Sequence, residues 1–245
     1  RQFHAEANYY FGIIAFHEAK YGEALAAFRV VEDDPYYRNW VPYHIAVIYY
    51  MQGERQKAFD YAEQQLKKVD LAYEPELQQL VGHGYYVQGQ FDKALPYLEN
   101  YIRKQSNPSR ADVYELAYCH YRSGNWDKAI TGFKQLSGNG DSLSRQAMYL
   151  LGDAFLKTGQ RANARNAFLF CSSNSTNTQQ REVSMFNYAK LSYELGYQDV
   201  AQSELQKFIS GYPQSSYIGE ARELMVNVLA QTSNYKDALA LMESL

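Results

Sequence analysis

"YELAYCHYRSGNWDKAITGF", residues 114–133, sets a cysteine beside a histidine and follows them with an arginine, a glycine turn and a tryptophan. Such a set belongs either to the mouth of a catalytic site or to one copy of a repeated unit, and recurrence separates the two. Aligned on Ala129, the pattern returns at Ala24, Ala58, Ala94, Ala164, Ala201 and Ala238, as AKYGEALAAF, GERQKAFDYA, GQFDKALPYL, GQRANARNAF, GYQDVAQSEL and SNYKDALALM. Consecutive anchors lie 34, 36, 35, 35, 37 and 37 residues apart, so seven copies of one unit fill the chain.

The surroundings of each anchor repeat as well. Five residues before it stands Gly53, Gly89, Gly124, Gly159 or Gly196, and three before it Tyr21, Phe91, Trp126 or Tyr235. Twelve before it stands Gly12, Ala46, Gly82, Ala117, Gly152 or Ala189, with Val226 the exception. This order predicts a helix, a tight glycine turn and a second helix, with small side chains where the two helices approach. Positions sixteen, thirteen, twelve and nine before the anchor share one face of the first helix, and in the fourth copy they are Val113, Leu116, Ala117 and His120. Asp92 and Asp127, just after the turn aromatic, are expected to cap the second helix.

The small, glycine, aromatic and alanine positions in register resemble the tetratricopeptide repeat. Arg55, Arg161 and Gln198 depart from it at the turn aromatic, and Ser233 at the glycine. The resemblance implies an all-α solenoid of helix pairs stacked into a right-handed superhelix, with first helices lining a concave groove. It is expected to be one domain over residues 1–245, with copies near 5–38, 39–74, 75–109, 110–144, 145–181, 182–218 and 219–245. No pair buries its apolar face alone, so neighbours must stack.

The repeat answers the opening question. Cys119 and His120 are consecutive on a helix, about 100° apart, and cannot aim at one metal. His120 falls where other copies have Tyr49, Tyr85 or Phe155, and Cys171 where they have Val31 or Phe208, so both are read as packing residues. FHEAK, residues 16–20, lacks the second histidine of a zinc helix, and SGNGDS, residues 137–142, lacks the lysine of a phosphate loop. No catalytic constellation, metal site or cofactor motif stands out. A net charge of −3, from 24 basic and 27 acidic residues, gives no field for nucleic acid. No apolar run approaches the roughly 20 residues that span a bilayer.

One stripe of the first helices stands apart. Positions fifteen, eleven and eight before the anchor share a face turned by one residue from the packing face. Eleven of these 21 positions are aromatic: Tyr9, Phe16, Tyr43, Tyr50, Tyr86, Tyr114, Tyr118, Tyr121, Tyr149, Phe186 and Tyr193. The 16% aromatic content of the chain would place about three there. Two readings stand side by side: the rings pack first helices together, or they form a partner-binding surface of large contact area and polar tips. The resemblance implies that this face lines the groove. Members that clamp a terminal carboxylate carry lysine, asparagine and arginine along it, whereas Tyr9, Ile13, Tyr43 and Val47 stand here, so an extended or helical peptide with apolar anchors fits better. The expected function is a non-catalytic scaffold for a protein or peptide. The alternative is a regulatory or sensory module whose output domain lies outside the chain.

Polar stretches at 137–144 and 172–180 are expected to be loops, the second a mild hinge. FISGYPQSSYIGEA, residues 208–221, resembles the repeat variant of bacterial cell-envelope proteins through Tyr212, Pro213, Ser216, Tyr217, Glu220 and Ala221. This favours a periplasmic or envelope location. The chain begins with Arg and ends on apolar-periodic ALALMESL, which suggests a piece of a longer protein or a homo-oligomer through the last copy.

Overall fold

A computed structural model describes residues 2–245. The described residues form fourteen helices: α1 (Gln2–His17), α2 (Tyr21–Val30), α3 (Pro42–Met51), α4 (Arg55–Gln65), α5 (Glu74–Val87), α6 (Phe91–Arg103), α7 (Arg110–Arg122), α8 (Trp126–Leu136), α9 (Ser142–Lys157), α10 (Arg161–Asn174), α11 (Thr178–Glu194), α12 (Gln198–Gly211), α13 (Ile218–Gln231) and α14 (Tyr235–Glu243). Every second helix starts three residues before its anchor alanine, even where Arg55, Arg161 or Gln198 replaces the aromatic. The backbone register therefore does not depend on that ring.

The chain divides into two compact units, 1–123 and 124–245. In the first, α1 pairs with α2, α3 with α4 and α5 with α6; α4 packs on α5 and α6 on α7, and first helices α3, α5 and α7 are neighbours in that order. In the second, α8 packs on α9, the pairs α9/α10, α11/α12 and α13/α14 follow, and α11 lies beside α13. The boundary falls at the turn inside the fourth copy, not at 172–180. That polar stretch is mostly helix, because α10 runs to Asn174 and α11 starts at Thr178.

Two contacts explain why the pattern has this form. At the turn, Gly53 and Gly124 have φ of 83° and 77°, a left-handed conformation that only glycine adopts without a steric penalty. Ala19 and Ser233 fill the equivalent positions with φ of 59° and 62°, so the turn is imposed there on residues that resist it. Inside the first, third and fifth pairs, the glycine twelve before the anchor faces a large residue four after it: Gly12 faces Phe28, Gly82 faces Leu98 and Gly152 faces Phe168. A Cβ on Gly82 would lie 2.6 Å from Leu98 Cδ2, and one on Gly152 3.0 Å from Phe168. The anchors Ala24, Ala58, Ala94, Ala129, Ala164 and Ala201 are fully buried.

Packing then passes from pair to pair. Phe28 and Val31, at the end of the first pair, share one core with Val41, Ile45, Ile48 and Tyr49 of the next helix. In the second unit, Leu205 and Phe208 meet Ala221, Met225 and Val228 in the same way.

The capping expectation is corrected. Asp92 and Asp127 lie in the first turn of α6 and α8, behind Gln90 and Asn125 at the cap positions, which make no side-chain cap bond. An acid in the first turn still suits the helix dipole. Side-chain caps occur instead on three first helices, where Ser109, Asp141 and Asn177 accept from the N–H of Asp112, Ser144 and Gln180.

Substituting Gly82→Ala should destabilise the first unit by about 1–3 kcal/mol through overpacking against Leu98. Ser233→Gly should stabilise by roughly 0.5–1 kcal/mol by relieving the left-handed turn. Urea unfolding of the two variants checks both signs.

Candidate functional site

The stripe is built by helical register. Because α3, α5 and α7 are adjacent, side chains fifteen, eleven and eight before each anchor fall on a common side of that layer. Ten of the eleven expected aromatics are half-buried, each with part of its ring accessible. Phe186 is the exception and is withdrawn from the candidate set: only 2% exposed, it stacks on Tyr217 at 4.7 Å and touches Phe208 at 5.5 Å. The junction before α13 brings Tyr217 over it, which the register of α11 alone does not reveal.

The structure brings two groups of the expected residues together, both in the first unit. Tyr43 and Tyr50, with Val47, form one wall of a pocket of about 350 Å³ completed by Glu76, Gln79, Leu80 and His83 of α5 and Glu115 of α7. Next along the layer, Tyr86 meets Tyr118 at 5.9 Å, and Tyr118 lies 5.9 Å from Tyr114 and 6.2 Å from Tyr121. The remaining residues are not gathered into these groups. Tyr9 stacks on Tyr37 at 4.5 Å and Phe16 packs edge-on against His44 at 4.9 Å. In the second unit Tyr149 leans on Phe168, and the Tyr193 hydroxyl accepts from Gln231 at 3.3 Å.

Glu76, Leu80 and Glu115 were not in the sequence stripe. They stand eighteen, fourteen and fourteen residues before their anchors: Glu76 is one turn beyond the stripe, whereas Leu80 and Glu115 lie within its span on the edge of the same face, so a stripe both longer by a turn and wider by one residue would include them.

Electrostatics distinguishes the pocket from the rest of the layer. His83 Nδ1 lies 2.6 Å from Glu115 Oε1, and this bond raises the histidine's proton affinity above its ordinary value against the opposing effect of burial. Asp112 of α7 adds to the rise and Arg55 of α4 reduces it. Gln79 Nε2 donates to Asp112 at 2.9 Å, which ties α5 to α7 beside the pocket. Burial, followed by the charge of Glu76, raises the Tyr43 phenol, and burial pushes Tyr86 up to about 12. These hydroxyls are therefore hydrogen-bond donors at neutral pH.

The opening Cys119–His120 pair is core. Cys119 is fully buried, and burial with nearby Glu115 pushes its thiol up to about 12; His120, 5% exposed, pairs with Glu99 at 3.1 Å. Burial likewise pushes Cys171 up to about 12. A thiol held protonated is a poor nucleophile and a poor metal ligand. Among the described residues no group of three His, Cys, Asp or Glu could hold a metal ion, and no helix is long and apolar enough to cross a membrane.

Solved structures similar to this chain bear out the architecture. A tetratricopeptide repeat protein from Parabacteroides merdae superposes with a TM-score of 0.50 at 14% identity, covering 98% of this chain and 91% of that one. The C-terminal part of a repeat-containing protein from Cytophaga hutchinsonii gives 0.50 at 16%, covering 94% and 88%. The chain has the tetratricopeptide-repeat fold. A family model described as anaphase-promoting complex, cyclosome, subunit 3 matches residues 87–171 of this tetratricopeptide array. A TPR2AB-domain:pHSP90 complex of yeast Sti1 aligns with a TM-score of 0.45 at 15% identity over 98% of this chain and 88% of that one. No curated protein matches the sequence. Tetratricopeptide arrays are, as a class, interaction modules that present side chains from successive units to a partner.

Folded His83 keeps its proton to higher pH than the ordinary 6.5 of an unfolded histidine. Its pairing with Glu115 therefore contributes its full stability below pH 6.5 and loses it as pH rises through the folded value. NMR titration should find His83 above 6.5 in the native chain and shifted down in Glu115→Gln, where burial acts without the carboxylate.

Proposed function

We propose that the chain is a non-catalytic scaffold that binds a peptide or protein segment along the aromatic stripe of its first helices. The observation that carries this reading is the pocket of about 350 Å³ centred on that stripe, where Tyr43 and Tyr50 face Leu80 and His83. A pocket of this size with an apolar wall and a few polar groups suits an anchoring side chain. The run of Tyr86, Tyr114, Tyr118 and Tyr121 beside it continues the surface for the rest of a segment. Tyrosines bring large contact area, a hydroxyl donor and little rotamer entropy to lose.

In this reading the seven copies act as one array, placed in the bacterial cell envelope. Support for that location is the resemblance of FISGYPQSSYIGEA, residues 208–221, to the repeat variant of bacterial cell-envelope proteins. Self-association through the last copy belongs to the same proposal. The positions four and seven after the anchor, fully buried as Leu205 and Phe208 in the sixth copy, are Met242 and Leu245 in the seventh, at 55% and 57% exposure.

The test is capture from lysate by the intact array and by a Tyr43→Ala, Tyr50→Ala, Tyr114→Ala, Tyr121→Ala variant of unchanged helicity. The expected result is a partner retained by the intact array and lost, by at least about ten-fold, from the variant. Equal capture by both would move the binding surface off the stripe.

A further inference from the structure

The charges of the first helices are unevenly distributed between the units. Helices α1, α3, α5 and α7 hold five carboxylates (Glu6, Glu74, Glu76, Asp112 and Glu115), two arginines and no lysine. Helices α9, α11 and α13 hold five carboxylates and five Lys or Arg residues. Arg122 is already engaged: its guanidinium lies 4.8 Å over the Phe91 ring and donates to the Tyr118 hydroxyl at 3.2 Å. The first unit's binding layer is thus aromatic and acidic.

Two of its carboxylates reach the pocket. Glu115 is bonded to His83, whereas Glu76 has neither a hydrogen bond nor an ion pair among the described residues. Glu76 lies close enough to Tyr43 to raise its phenol, which places a free negative charge beside an aromatic wall. The chain itself shows what such a wall attracts: Arg55 rests its guanidinium 5.2 Å from the centre of the Tyr50 ring. A cation near a tyrosine face and a carboxylate gains from both the ring quadrupole and the charge.

We propose that this pocket receives the cationic side chain of a lysine or arginine, so that the first unit binds a basic peptide segment. The inference rests on the stripe being the binding surface and narrows it to one class of ligand. Glu76 is the principal charge partner, Tyr43 and Tyr50 contact the cation and its stem, and Val47 and Leu80 cover the methylenes. Glu115 is already bonded to His83 Nδ1 at 2.6 Å, so a bound cation competes with the imidazole for that carboxylate. The charged groups facing His83 are then Glu115 and Asp112 from α7, Arg55 from α4 and the guest.

The experiment titrates the 245-residue chain with the peptide acetyl-Ala-Leu-Arg-Leu-Ala-amide, and in parallel with counterparts carrying citrulline or glutamate at the centre. NMR follows the Val47 and Leu80 methyls and the His83 ring. The expected result is saturable shifts with the arginine peptide, binding about five-fold weaker or worse for citrulline, the scale of one half-exposed charge pair, and a lowered His83 pKa in the bound state. Glu76→Gln, with circular dichroism unchanged, should remove most of the preference for arginine over citrulline. Citrulline binding as tightly as arginine, or no saturable shift at Val47 and Leu80, overturns the proposal. If Glu76→Gln leaves the captured partner unchanged while the tyrosine variant loses it, the stripe reading stands and the basic-ligand inference falls.

Discussion

The close approach of two helices at a small residue is the contact on which everything else depends. A side chain of one carbon or none, twelve before the anchor, lets the ring of Phe28 or Phe168, or the branch of Leu98, settle against the facing backbone. That contact fixes the roll of the first helix about its axis. Once the roll is fixed, the residues thirteen and nine before the anchor turn to the neighbouring copy, and those fifteen, eleven and eight before it turn to the adjacent face, about 100° away. The packing rule and the aromatic stripe are two consequences of one rotation.

The same rotation accounts for the tyrosines. A ring on this stripe, Phe186 aside, is half-buried by its neighbours and half-exposed, an environment that suits an amphipathic side chain better than Leu or Lys. The two readings of the stripe as packing or as recognition are therefore not exclusive at a given ring. Tyr118 touches Tyr86, Phe91, Tyr114 and Tyr121 and still offers an edge. Phe186 shows the limit, since Tyr217 closes over it and leaves nothing to offer.

The register of the fold was legible because each copy states it again. Turn, anchor and small residue recur about every 35 positions, so an irregularity such as Ser233 is outvoted by the other copies. Features that occur once were less legible. The cap at Asn177 lies in a stretch that reads as a loop, because Ser, Asn and Thr serve both loops and caps. The division near Ser123 leaves no mark in composition. Glu76 and Glu115 escaped the stripe because a helical face is a band broader than one line of residues, and a charged side chain at its edge looks like ordinary solvated surface until a pocket forms between three helices.

The central claim is that recognition takes place on the α3–α5–α7 layer, and cross-linking in the cell addresses it most directly. Benzoylphenylalanine placed at Val47, with exposed Lys57 of α4 as the control, would be photoactivated and the attached peptide sequenced. The account predicts one discrete adduct from position 47, none from position 57, and a lysine or arginine within a few residues of the cross-link. Discrete adducts from position 57 alone would contradict it and place the interface on the second helices.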